Sequence, residues 1–129
     1  MNHTIAIAGH RFVRRVLQAD AASCLALGLL LVAGAGALSG PLGLSASLLF
    51  WAGALLFPCA LLMLYAAQRP LPALLRLIVA GNVAWLVASI AVLELAAGLT
   101  AFGMAFVLLQ AVAVAALTAL EWRGLRAAG

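Results

Sequence analysis

From Ala73 to Leu95 the chain reads ALLRLIVAGNVAWLVASIAVLEL. That is long enough to cross a bilayer, which takes about 20 mostly apolar residues. The run also carries Arg76, Asn82, Trp85, Ser89 and Glu94, and polar groups at membrane depth must find partners in other helices. At about 100° per residue, Ile78, Asn82, Trp85, Ser89 and Leu93 share a stripe roughly 80° wide. This predicts a face turned toward neighbouring helices. Val83, Val87 and Ile90 fall on other faces and suit lipid.

The rest of the chain is just as oily. Of its 129 residues, 68% are hydrophobic and 8% charged, against about 25% charged in soluble domains. A water-soluble bundle of this length would expose a large apolar area and tend to aggregate, so the bilayer is the expected solvent. The expectation is an all-α membrane protein, a single domain over residues 1–129. Four transmembrane helices would form an up-down-up-down antiparallel bundle with short loops. A net charge of +4 is no nucleic-acid signature, because the basic residues are all Arg and sit at segment ends rather than along one face. No nucleic-acid partner is expected. Cys24 and Cys59 both lie inside apolar segments, which implies no disulfide framework.

Residues 1–12 are polar and short, and read as a frayed tail. His3 and His10 could share a helical face, but no Cys, Asp or Glu joins them as a metal ligand. The first span covers roughly 13–38. Arg14-Arg15, the apolar run and AGAGALSG resemble a cleavable signal, with a twin-arginine hint. The apolar run is longer than such signals carry and Asp20 interrupts its start, so an uncleaved helix is expected. Gly28, Gly34 and Gly36 would allow close helix approach. SGPLGL makes an uncharged turn. The second span, 45–67, contains Pro58, which should kink it near Ala54, and ends with Tyr65 at headgroup level. QRPLP stops and restarts the chain, with Pro72 tolerated in a first helical turn. The third span is 73–95, AAGLT is the next turn, and the fourth span is 101–121. Gln110 and Glu121 lie about 20° apart on its wheel and can both face inward. Trp122, Arg123 and Arg126 mark the way out.

With four spans, Arg11, Arg14, Arg15, Arg69, Arg76, Arg123 and Arg126 all fall on one side, and Glu94 is the only charge on the other. The positive-inside rule then places the N- and C-termini and the central loop in the cytoplasm of a multi-pass inner-membrane protein. The same bias argues against dual topology.

An ionisable group at a helix centre costs about 2.5–3.5 kcal/mol on insertion scales, so the polar residues within the spans are the candidate site: Asp20, Arg76, Asn82, Gln110 and Glu121. Asp20, Arg76 and Glu121 come out near the cytoplasmic ends of their spans. Arg76 could bridge either carboxylate, although it lies about 140° from the middle of the polar stripe and each group could equally snorkel to headgroups. Asn82 and Gln110 lie near the midplane, where amides usually bond across helices at about 0.6 kcal/mol each. The thiols read as packing residues. No span holds a His for haem. No phosphate loop, nucleophile elbow or HExxH occurs. No catalytic residue, metal site or cofactor is expected, and no enzyme.

The segments NVAWLVAS around Asn82 and FVLLQAVAVAALTALEWRGLR at the end, together with Asp20-Ala21-Ala22, resemble small four-span bacterial membrane proteins of no established activity. The resemblance covers about a third of the chain and implies the fold alone. All-Arg basic usage with abundant Ala suits a GC-rich bacterial genome. The leading expectation is a structural or accessory subunit, with the lipid bilayer and another membrane protein or a second copy as partners. The alternative is a small transporter or channel using the intramembrane polar residues. Small multidrug-resistance transporters share the size and four spans but use a membrane-embedded glutamate in the first helix. Asp20, the nearest candidate, is read as lying too close to the interface. The Gly-rich, Arg- and Asn-bearing signature of fluoride channels is not evident. A lipid-headgroup enzyme built on Asp20, Arg76 and Glu121 would have no recognised motif behind it.

Overall fold

The computed structural model describes Ile7 to Ala128, with side-chain surroundings from Arg11 to Arg126. Four helices make up nearly all of it: α1 (Ile7–Leu42), α2 (Ala46–Gln68), α3 (Pro72–Leu95) and α4 (Ala101–Ala128). All four are long and apolar enough to cross a membrane. Their outer faces are oily: Trp51 is 67% exposed, Leu109 74% and Val112 66%. Side chains of this size left bare in water would be a liability, which suits a multi-pass membrane protein.

Local chemistry explains where the helices begin. Ser45 Oγ accepts the Leu48 N–H at 3.1 Å and caps α2. Pro72 occupies the first turn of α3, where a missing N–H is harmless. Thr100 Oγ1 accepts the Gly103 N–H at 2.9 Å to start α4, while donating to the Pro41 carbonyl at 2.6 Å. That second bond ties the start of α4 to the end of α1.

α1 is longer than the expected 13–38 span at both ends. It is already helical at Ile7, the first described residue, since nothing between Ile7 and Val13 breaks a helix; His10 lies within it, and His3 lies outside the described residues. At the other end it continues through Pro41 to Leu42. Ser39, Gly40 and Pro41 thus form its last turn rather than a loop, and the reversal is made by Gly43. Gly43 sits at φ 73°, with the Gly98 carbonyl where a side chain would go. α2 runs through Pro58 without a break.

α1 packs extensively on α2, and α4 packs on both α1 and α3, whereas α2 and α3 touch only sparingly. The four helices therefore form a ring that is open between α2 and α3. Of the three glycines expected to bring helices together, Gly28 does so: it lies against the Gly53 carbonyl, and Gly53 lies against Leu31. Gly34 meets only Leu38 and Leu30 of its own helix, and Gly36 faces open space.

The two ends of the bundle differ. At one, Arg14 Nη2 donates to Gln68 Oε1 at 3.3 Å and Gly124 backs onto Val13, which gathers the arginine-bearing segments. At the other, the Thr100 N–H donates to the Leu42 carbonyl at 3.2 Å, joining the two uncharged turns. The apolar core follows the same division. Val13, Leu17, Leu56, Met63, Leu75 and Ile78 belong to a cluster toward the arginines, and Leu31, Leu42, Leu49 and Val107 to one toward the turns.

Candidate functional site

The site is made by three helices. The periodicity of α3 turns Ile78, Asn82 and Ser89 inward, where all three are buried, with Val83, Val87 and Ile90 exposed. Asn82 meets Asp20 from α1 and Glu121 from α4, each only 1% exposed. Its Nδ2 donates to Asp20 Oδ2 at 3.0 Å and to Glu121 Oε1 at 2.8 Å. One amide thus gives both its hydrogens to carboxyl groups on different helices, which uses the donor capacity of Asn in full. Oxygens held by one nitrogen at those distances lie less than about 6 Å apart, close enough to repel strongly if both carry charge in a low dielectric. Glu121 Oε2 is buried and has no hydrogen-bond partner among the described residues. Cys24 Sγ lies 3.9 Å from Asp20 Oδ1, and the same sulfur lies 3.9 Å from Met63 Sδ.

Arg76, the residue expected to bridge the carboxyls, is exposed on the outer part of α3. The position it would have taken is filled by the Asn82 amide, whose bearing on the helix points inward where that of Arg76 does not. Gln110 joins a second set of contacts. Trp85 Nε1 donates to Gln110 Oε1 at 2.7 Å, and Gln110 Nε2 donates to Ser89 Oγ at 2.9 Å and to the Val107 carbonyl at 2.9 Å. Ser89 Oγ in turn donates to the Trp85 carbonyl at 2.9 Å. Of the five sequence candidates, then, Asp20, Asn82 and Glu121 meet, Gln110 lies in a separate network, and Arg76 stands apart.

Between these two networks is a cavity of about 370 Å³. Asp20 and Asn82 form part of one wall, Trp85 and Gln110 part of another, and Cys24, Cys59 and Met63 a sulfur-lined side. The remaining lining is mostly Leu, Ile and Val. All four helices contribute, and of the neighbouring pairs α2 and α3 are the most loosely packed. Gly81, next to Asn82, also lines the cavity and has nothing within 4 Å of where a Cβ would stand. A second cavity of about 130 Å³ lies toward the turns and shares Leu27, Trp85 and Gln110 with the first. The Trp85–Gln110 bond therefore belongs to the partition between the two. Sequence reasoning missed both cavities, because a void is a property of helix spacing and leaves no mark on the periodicity of any one helix.

Among the described residues no three His, Cys, Asp or Glu side chains come together as metal ligands. The site can hold positive charge through its carboxyls and enclose an apolar body through its walls. No family model, curated protein or solved structure matches the chain.

Proposed function

We propose that this chain is a small transporter of the bacterial inner membrane that takes up positive charge at the Asp20–Glu121 pair. The observation that carries the reading is the pair itself: two buried carboxyls on one amide, one oxygen without a partner among the described residues, and Asp20 on the wall of an open cavity. Unpaired charge inside a bilayer is costly, and a purely structural junction would be better served by amides or hydroxyls. Two carboxyls call for a positive partner, either a proton or a cation. The four helices run up-down-up-down across the membrane, and the arginine-bearing end, with both chain ends, faces the cytoplasm as the positive-inside rule requires. The reading is of a carrier rather than an enzyme.

The test is thermal stability of the purified protein in mild detergent, against a panel of inorganic and organic cations. The expected result is stabilisation by at least one cation, lost in Asp20→Asn and in Glu121→Gln. A protein indifferent to every cation, and co-purifying instead with another membrane protein, would return the chain to the class of accessory subunits. The broad exposed apolar faces of α2 and α4 are what such a subunit would use.

A further inference from the structure

We infer that the occupant of the larger cavity is a small lipophilic organic monocation, an alkyl- or aryl-ammonium, which reaches the carboxyl pair sideways from the bilayer between α2 and α3. This rests on the transporter reading above and adds the ligand class and the route.

Four observations carry it. The carboxyl pair provides negative charge: Asp20 lines the cavity, and Glu121, buried behind it on the same amide, keeps one oxygen without a partner among the described residues. The cavity beside the pair is walled by Leu27, Leu56, Leu62, Ile78, Val114 and Leu117. Such walls favour an apolar body over a hydrated ion, since a bare inorganic cation would lose its water and gain few oxygens. No third acidic or imidazole ligand is at hand to complete a metal shell, as hard cations with their six or more oxygens demand. At about 370 Å³ the cavity is at the small end of ligand pockets, which run to roughly 300–1,000 Å³, and Trp85 on its wall offers the aromatic surface that ammonium groups favour. The route follows from packing. α2 and α3 touch only sparingly, and on the α3 wall of the cavity Leu77 is 56% exposed beside the bare backbone of Gly81. A ligand already dissolved in the bilayer would pass between them without crossing water.

The experiment is equilibrium binding of radiolabelled benzyltrimethylammonium to the full chain in nanodiscs of zwitterionic lipid. The uncharged carbon isostere 2,2-dimethylpropylbenzene serves as competitor. Wild type is expected to bind the ammonium and the isostere to compete poorly. Asp20→Asn combined with Glu121→Gln should abolish binding. Gly81→Leu, which has room to fold because its Cβ meets open space, should weaken binding by about tenfold, a shift easily resolved in an affinity measurement, while Gly81→Ala should change it little. Leu77→Trp is a second plug on the same seam, should Gly81→Leu fail to fold. Binding that survives both plugs overturns the route. Equal competition by the isostere overturns the ligand class in favour of an apolar occupant such as an acyl chain. If the ammonium does not bind while an inorganic cation still stabilises the protein through Asp20 and Glu121, the ligand class falls and the transporter reading stands. If no cation acts at all, both fall.

Discussion

Asn82 holds the site together because its amide is the only donor described for two carboxyl oxygens on two other helices. Replacing it with Leu, alike in branching and heavy-atom count but without a donor, would leave Asp20 and Glu121 facing one another with no donor between them. Hydrogen bonds to charged groups are worth about 1.5–3 kcal/mol, but the membrane-unfolded state also finds partners. Asn82→Leu should therefore destabilise the protein by about 1–3 kcal/mol, read from reversible unfolding in mixed micelles. The loss should shrink when Asp20→Asn and Glu121→Gln are already in place, since residues of one network couple non-additively. An equal loss in both backgrounds would mean that Asn82 acts through packing alone. The inward bearing of Asn82 is legible in the sequence, because it depends on a single helix's period. The identity of its partners is not. Depth counted along each span places Asp20 and Glu121 nearer the membrane surface than Asn82, yet the three are level enough to bond. That count assumes that every helix starts at one plane, and α1 is already helical at Ile7, about a turn and a half before the apolar run.

At the scale of helix pairs, the tightest joint is α1 on α2. A methyl group added at Gly53 would lie 2.7 Å from Leu31 Cβ and 2.9 Å from the Gly28 carbonyl, closer than packed atoms tolerate. Neither neighbour is the free end of a long side chain, so the helices would have to separate. Gly53→Ala should cost about 1–3 kcal/mol, the range for overpacked cores, measured by the same unfolding assay, whereas Gly36→Ala, in open space, should be neutral or slightly stabilising through helix propensity. At the turn, Gly43→Ala combines a left-handed backbone, about 1–2 kcal/mol for a residue with a Cβ, with a collision against the Gly98 carbonyl. It should be the most damaging of these three glycine variants. Glycine content is visible in the sequence, and so is the tendency of small residues to sit between membrane helices. Which of Gly28, Gly34 and Gly36 does so depends on the crossing point with α2, and that is set by Gly53 on the partner helix. The same limit applies to Pro41: a proline after Gly suggests a breaker, but one near the C-terminal end of a helix can leave the preceding turns intact.

Over the whole molecule, the arginines and the uncharged turns lie at opposite ends of the bundle. Arg14 meets Gln68 beside Arg69, Gly124 between Arg123 and Arg126 backs onto Val13, and the Gly43 and Gly98 turns meet each other far from all of them. The sequence foretells this segregation because charge placement and span number fix it without any side-chain contact. The open α2–α3 seam, by contrast, emerges only when four helices are packed at once. If the bilayer is the solvent, the segregation dictates orientation: moving seven arginines across a membrane is far less favourable than moving Glu94 alone. Single cysteines introduced at Ala97 and at Arg69, in a background with Cys24→Ala and Cys59→Ala, would read this directly in intact cells. A membrane-impermeant maleimide should label Ala97→Cys from outside, and should reach Arg69→Cys only after the membrane is permeabilised. Labelling of both sites from outside in the same cells would reveal a mixed population. Labelling of Arg69→Cys alone would invert the bundle, turning the cavity's arginine-side wall, and with it the carboxyl pair, toward the exterior.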